Sequence, residues 1–383
     1  MTDPVAPRVG DRVVLDLGGF AALLGALAAA GHELIGPTVR DGAIVLEPVR
    51  GLDDLPRGVG DEQGPGHYRL RARGDEALFG YAVSPHAWKR ELLPPKVALV
   101  QIRRRGRELE VEQPADDRRK RAFIGVRGCE LAAIAVQDRV LRDGAHPDAD
   151  YHARRAGVFV VAVHCGSPAG TCFCASMDTG PRAGPGYDLG VTELLDGAHR
   201  FVVELATEAG RAIAAQVTSR RAADEDLAAD AAVTASAATR MGRSLAAAGL
   251  RDALMANLEH PRWQAVGDRC LGCANCTLSC PTCFCTNVDD TTDLSGELAT
   301  RTRRWDSCFT AEFAYVHGGS VRPSLRARYR QWLTHKLATW HDQFGTSGCV
   351  GCGRCITWCP VGIDLTEEAA AIRVPAERTN RDG

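Results

Sequence analysis

Apolar runs bounded by glycine, proline and charged residues predict a series of β-strands in the first half of the chain. The clearest runs cover residues 97–102, 122–126, 157–163, 187–194 and 201–205. The run 122–126 continues through a glycine turn into an amphipathic helix over 130–141, and an apolar helix is predicted over 20–30. Strands interleaved with helices are typical of α/β proteins, so we predict an α/β domain over residues 1–215.

The second half of the chain has a different pattern. Residues 211–258 are rich in alanine with interspersed charges, which predicts helices and a helical connector over 216–265. A cysteine-rich domain is expected over 266–373, and apolar residues at three- and four-residue steps over 324–344 indicate a helix within it. The glycine-rich stretch 58–66 follows no strand and opens no helix, so we predict a loop there rather than a phosphate site.

The composition of the chain limits its possible partners. The 383 residues carry a formal net charge of −2, which favours neither nucleic acid nor an anionic membrane surface. The longest apolar run, 18–30, is too short to span a bilayer, and the first residues lack the apolar segment of a secretory signal. Fifteen cysteines in a chain of this length are too sparse for a disulfide scaffold. We therefore expect a metal-binding protein of the reducing cytoplasm.

Two segments of the chain repeat one cysteine spacing. Residues 270–281 have the sequence CLGCANCTLSCP, and residues 349–360 have the sequence CVGCGRCITWCP. In each, three cysteines at two-residue gaps are followed by a fourth after a three-residue gap and then by a proline, the run that binds cubane clusters in bacterial ferredoxins. Structural zinc sites are the alternative, but they use two separated pairs of ligands. The doubled spacing therefore predicts two [4Fe-4S] clusters.

The fourth cysteine of each run is redirected by the proline behind it and typically binds the neighbouring cluster. We accordingly predict two crossed ligand sets, one for each cluster. The first set is Cys270, Cys273, Cys276 and Cys359. The second set is Cys349, Cys352, Cys355 and Cys280. Each motif then needs the other to complete its cluster.

Four further cysteines form a candidate third set. Cys129 and Cys165 each follow a predicted strand, at the strand ends where α/β sheets usually place their ligands. Cys172 and Cys174 lie in the glycine- and proline-rich loop that follows the second of these strands. We predict a third iron–sulfur cluster on these four residues.

Three cysteines then remain, Cys283, Cys285 and Cys308, and their sequence context leaves structural and functional roles open. A competing arrangement also involves two of them. The segment Thr-Cys-Phe-Cys occurs twice, at Thr171 and at Thr282, and the two copies could come together and share ligands.

The chain resembles a known family in five places. These are GVRGCELAAIAVQDRV at Gly125, CGSPAGTCFCASMDTGP at Cys165, RCLGCANCTLSCPTCFC at Arg269, RWDSC at Arg304 and CGRCITWCPVGID at Cys352. Together they resemble the β subunit of sulfhydrogenase-type, NAD(P)-linked cytoplasmic nickel–iron hydrogenases and its relative, the iron–sulfur subunit of anaerobic sulfite reductase. The likeness covers roughly residues 95 to 370, and the first ninety residues match only loosely.

The resemblance implies a non-catalytic electron-transfer subunit with an α-helical ferredoxin-like domain behind the α/β domain. Its partners would be the small and large subunits of a nickel–iron hydrogenase and a flavin-containing NAD(P) subunit, or the subunits of a sulfite reductase. A free-standing iron–sulfur oxidoreductase with its own flavin is the third hypothesis, but no strand-anchored Gly-x-Gly-x-x-Gly sequence supports it. We expect no catalytic residues and no cofactor-binding residues beyond the cluster ligands.

Overall fold

The structure of the protein, a computed structural model, describes residues 7–113, 117 and 119–374. Its strands are β1 (Arg12–Asp16), β2 (Glu33–Arg40), β3 (Ala43–Pro48), β4 (Val59–Gly64), β5 (His67–Ala72), β6 (Lys96–Arg105), β7 (Glu108–Glu112), β8 (Arg121–Val126), β9 (Phe159–Val163), β10 (Leu189–Leu194), β11 (Arg200–Leu205), β12 (Arg220–Arg221), β13 (Thr286–Thr292), β14 (Leu298–Trp305), β15 (Tyr315–Val316) and β16 (Gly319–Ser320). Its helices are α1 (Leu17–Ala29), α2 (Lys89–Leu92), α3 (Gly128–Leu141), α4 (Ala149–Arg155), α5 (Glu208–Ala214), α6 (Asp224–Thr239), α7 (Leu250–Ala256), α8 (Arg262–Arg269), α9 (Asn275–Leu278), α10 (Leu325–Thr334), α11 (Trp340–Phe344), α12 (Arg354–Thr357) and α13 (Leu365–Arg373).

An eight-stranded mixed sheet organises the first half of the chain, in the order β12-β1-β11-β10-β9-β8-β2-β3. Its central strands β2, β8, β9 and β10 run parallel, and antiparallel strands flank them on both sides. Strands β8 and β9 are buried along their whole length, as expected of a sheet covered on both faces. On one face Ile124 and Val161 pack with Leu24 of α1, and on the other Phe123 packs with Leu131 of α3.

A second, antiparallel sheet joins parts of the chain that are far apart in sequence. Its order is β13-β14-β6-β7, so β6 from the first half pairs with β14 from the segment between the two cysteine motifs. The pairing aligns Leu298 with Arg103 and Arg304 with Lys96. Leu109 of β7 is 66% exposed, so the outer end of this sheet projects from the molecule.

Helices form most of the core around the cysteine motifs. The buried side chains of Trp263 and Val266 from α8, Trp332 and Leu333 from α10 and Ile372 from α13 belong to one apolar cluster, which also includes Cys349 and Cys359. A π-helical turn, His335–Thr339, joins α10 to α11 without breaking the helix. No described helix is both long enough and apolar enough to cross a membrane.

The predicted strands and the helices predicted over 20–30, 130–141 and 324–344 are confirmed, with ends shifted by a few residues. The loop predicted over 58–66 is wrong, because residues Val59–Gly64 form β4 and pair with β5 across a tight turn. The apolar signal is weak there because the inward side chain of β4 is Gln63, which is held by hydrogen bonds to Val83 and Thr357. Helix α6, within the predicted connector, packs against β10 and β11, and the predicted domain boundaries stay a prediction.

Candidate iron–sulfur sites

The first cysteine set surrounds one cavity. Cys270, Cys273, Cys276 and Cys359 all line it, and it encloses about 460 Å³ of empty space including its mouth. Burial, followed by the neighbouring thiols of Cys359 and Cys273, raises the pKa of Cys270. Backbone amides point at the sulfurs: the N–H of Gly272 donates to Cys270 Sγ at 3.4 Å, and that of Ile363 to Cys359 Sγ at 3.2 Å. N–H groups in these positions stabilise the anionic ligands of a cluster.

The walls of this cavity are apolar on the inside and open on one side. Phe309, Tyr329 and Trp332 line the inner wall. Cys273, by contrast, is exposed, and its neighbour Leu271 is 64% exposed. Among the three sets in the described residues, the first is thus the one with an exposed cysteine.

The second set is more deeply placed. Cys280, Cys349 and Cys352 are buried, and burial raises the pKa of Cys349 to about 12 although the ammonium of Lys336 opposes it. Burial likewise raises the pKa of Cys355, and the neighbouring thiols of Cys349 and Cys280 raise it further. The thiol of Cys280, from the first motif, therefore lies among the cysteines of the second motif, as crossed ligation requires.

The candidate third set gathers at the carboxyl ends of two adjacent strands. Strands β8 and β9 run side by side in parallel, which confirms that neighbouring strands deliver Cys129 and Cys165. A hydrogen bond with the Cys174 thiol, followed by burial, raises the pKa of Cys129. Burial, followed by the thiols of Cys165 and Cys129, raises the pKa of Cys172. The thiol of Cys129 is therefore the neighbour that the other three thiols of this set share.

The loop that carries Cys172 and Cys174 packs directly on the second motif. The N–H of Phe173 donates to the carbonyl oxygen of Gly351 at 2.9 Å, and the hydroxyls of Thr171 and Thr357 are 2.8 Å apart. The Cys172 thiol lies 3.9 Å from the carbonyl oxygen of Cys352. These contacts place the third set beside the second.

The second set in turn adjoins the first. Burial raises the pKa of Cys276. The thiols of the first set raise it further, and so does the nearby thiol of Cys280 from the second set. The thiol of Cys276 in turn raises the pKa of Cys355. The three sets therefore form one series, third to second to first, from the main sheet to the exposed edge at Cys273.

The two Thr-Cys-Phe-Cys segments have different neighbours. The thiols of the first segment lie beside Cys129 and Cys165. In the second segment, the thiol of Cys283 lies beside that of Cys280, and the thiol of Cys285 lies beside that of Cys308. Because the cysteines of the two segments have different neighbours, this placement does not favour a cluster that takes ligands from both segments.

Several buried cations beside the cysteines were not predicted from the sequence. They are Lys89, Arg127, Lys336 and Arg354. Lys336 lies four residues from each of two buried tryptophans, Trp332 and Trp340, and this spacing is the signal in the sequence from which its burial could have been predicted.

Among the described residues, no three histidine, cysteine, aspartate or glutamate side chains converge tightly enough to hold a single metal ion. The ligands of a cubane instead surround a volume, one at each iron corner. The donor sets suit such a group, because each offers four thiols, and buried cations and backbone N–H groups lie nearby to offset the negative charge of thiolate-bound iron.

Paired four-cysteine motifs, each closed by a proline, define an iron–sulfur electron-transfer protein. In agreement, the family described as 4Fe-4S dicluster domain matches residues 269–363, behind a strand-rich N-terminal region. The chain is 33% identical over 298 residues to sulfhydrogenase 2 subunit beta of Pyrococcus furiosus, a match that covers 75% of this chain and 84% of that protein. The chain therefore belongs to the family of sulfhydrogenase β subunits. No solved structure is significantly similar to it.

Proposed function

We propose that the chain relays electrons between the small and large subunits of a nickel–iron hydrogenase and a flavin-containing NAD(P) subunit in the cytoplasm. The relative's name, sulfhydrogenase subunit beta, supports membership of a hydrogenase complex. The observation that carries the relay is the series of three adjoining cysteine sets, which ends at the exposed Cys273.

In this proposal the first and second sets hold two [4Fe-4S] clusters by crossed ligation, and the third set holds another. When bound, such clusters take up and release one electron at a time. The residues of the chain fix the spacing between the sets: the Thr171–Thr357 hydroxyl contact holds the third set against the second, and Cys280 joins the second set to the first motif.

The proposal includes the arrangement of domains. Residues 266–373 form an α-helical ferredoxin-like domain, supported by α8, α10 and α13, which pack around the motifs. Residues 1–215 form the α/β domain, and 216–265 the connector. The long segment between the motifs also contributes β14 to the sheet with β6, so that the two domains share one sheet.

The test is an anaerobic affinity purification of the tagged chain from its native cell, followed by mass spectrometry. Co-purification of nickel–iron hydrogenase subunits together with a flavoprotein is the expected result. Recovery of sirohaem reductase subunits would instead assign the chain to a sulfite reductase. A lone chain that retains flavin and oxidises NAD(P)H by itself would overturn the proposal, because hydride transfer needs a flavin that we place on another subunit.

A further inference from the structure

Cys283, Cys285 and Cys308, the cysteines outside the three sets, line a single cavity. It encloses about 750 Å³ of empty space including its mouth, and its wall also includes His335 and Lys336. All three cysteines are half-buried. A shared cavity with three thiols and an imidazole is a donor set for iron.

The hairpin of β13 and β14 fixes two of these cysteines opposite each other. Thr286 pairs with Trp305 at the open end of the hairpin, and the N–H of Asp306 donates to the carbonyl oxygen of Cys285 at 2.9 Å. Cys308 follows two residues after Asp306, and its thiol is a neighbour of the Cys285 thiol. The register of the hairpin thus positions these two thiols.

Two buried ammonium groups flank the same cysteines. Lys336 is 6% exposed, and its Nζ donates to Cys280 Sγ at 3.3 Å, to the Thr282 hydroxyl at 2.9 Å and to a backbone oxygen at 3.2 Å. Lys89 is 5% exposed, and its Nζ donates to the carbonyl oxygen of Cys283 at 3.0 Å and lies 4.0 Å from the centre of the Trp305 ring. No carboxylate in the described ranges forms an ion pair with either lysine.

Burying an ammonium without an anion is costly, since the charge loses its hydration and gains no counter-charge. The second cysteine set supplies negative charge to Lys336 through Cys280. The ammonium of Lys89 is bonded to the backbone of Cys283, and the thiols near it are those of Cys283, Cys280 and Cys285. Two of the three thiols near Lys89 belong to this cavity, so a cluster bound there would supply a counter-charge for Lys89, as the second set does for Lys336.

The other Thr-Cys-Phe-Cys segment provides an internal comparison. Thr171 forms a hydrogen bond with the hydroxyl of Thr357, late in the second motif, and Thr282 donates to the carbonyl oxygen of Gly348, just before that motif, at 2.8 Å. Each segment thus docks its pair of cysteines beside the second set. The same local sequence thus brings two different groups of cysteines to the second motif.

We infer that Cys283, Cys285 and Cys308 hold a further [4Fe-4S] cluster, in which the fourth iron has no cysteine ligand and the imidazole of His335 is the candidate fourth ligand. The neighbours of these thiols, Cys280 in the second set and Cys276 in the first, make the site a branch of the relay. The inference concerns ligands and iron alone, so it stands whether or not the partner is a hydrogenase.

The test compares two matched double variants of the full-length protein reconstituted anaerobically, C283S/C285S and C172S/C174S. We expect C283S/C285S to lose about four iron and four sulfide per chain, and a quadruple variant to lose about four more than C172S/C174S does. C308S, on a separate segment, should abolish the same EPR signal as C283S/C285S. Unchanged iron in both C283S/C285S and C308S would overturn the inference, whatever C172S/C174S does.

A second measurement needs no stable variant. Mild oxidation of the wild-type protein should release about one iron per chain and produce a [3Fe-4S] EPR signal, because an iron without a cysteine ligand is the one most easily lost. Added ferrous iron and reductant should reverse the change. If oxidation instead removes two titratable thiols and no iron, Cys285 and Cys308 form a redox disulfide and the cluster is excluded.

Discussion

The guanidinium of Arg354 donates to the carboxylate of Glu130 where both side chains are buried. Arg354 lies between Cys352 and Cys355 of the second set, and Glu130 follows Cys129 of the third. One buried ion pair thus ties the α/β sheet to the second cysteine motif. The same guanidinium also donates to the backbone oxygens of Ser84, at 2.7 Å, and His86, at 3.0 Å.

Arg354→Met removes the cationic half of this pair and leaves the carboxylate of Glu130 buried with its charge uncompensated. We expect the free energy of unfolding to fall by about 3–5 kcal/mol, measured by anaerobic denaturant titration. The control is Arg301→Ala, which breaks an exposed ion pair with Asp290 and should leave the midpoint unchanged. Equal effects of the two substitutions would show that the buried pair does not hold the motifs together.

Crossed ligation predicts which substitutions share a phenotype. Cys359→Ala should remove the same cluster EPR signal as Cys270→Ala, because both thiols line the cavity of the first set. Cys349→Ala should remove the other signal. The prediction fails if Cys359→Ala instead behaves like Cys349→Ala, its neighbour in sequence.

The third set predicts iron binding by the α/β sheet. Cys165→Ser in the full-length protein should lower the iron content by about four atoms per chain, because a cubane with one weak ligand is readily lost. The signals of the two dicluster-domain clusters should remain in the EPR spectrum. Ser167→Ala, two residues further along the same loop, is the control and should keep all of the iron.

The docking of the third set on the second motif depends on Gly351. Its φ is +65°, and a Cβ there would lie 2.6 Å from the Cα of Cys174. Gly351→Ala should therefore cost more than the roughly 1–2 kcal/mol of a left-handed alanine. Gly345 has φ +69° with no heavy atom within 4 Å of its added Cβ, so Gly345→Ala measures the backbone cost alone. Similar midpoints in denaturant for the two variants would contradict the close contact.

Substitution of Leu271 tests whether a partner docks over the first set to exchange electrons. It is 64% exposed beside the first set, and Leu109 is 66% exposed on the distant end of the second sheet. If a partner docks over the first set, Leu271→Asp should slow electron transfer between the chain and its partner severalfold, with iron content unchanged, because a charge would be buried at the interface. Leu109→Asp should leave the rate unaltered. If Leu109→Asp slowed electron transfer and Leu271→Asp did not, the partner would dock on the second sheet instead.

The strands β8 and β9 show how far the sequence pattern reaches. Each is an apolar run of five or six residues, and a strand followed by a glycine turn is enough to place Cys129 and Cys165 at strand ends. The hairpin β13–β14 was not predicted, because its residues are mostly exposed and polar and so lack an alternating apolar pattern. Without that hairpin, the sequence could not bring Cys285 beside Cys308.

The sequence by itself determined the chemistry of the two cysteine motifs, because the gaps that let a short loop curl around a cubane are local properties of the chain. Only the tertiary structure decided what lies between the cysteine sets. Pairing of β6 with β14 and the burial of Lys89 and Lys336 join residues that are far apart in the chain. Such contacts depend on how whole elements pack, and local patterns do not record them.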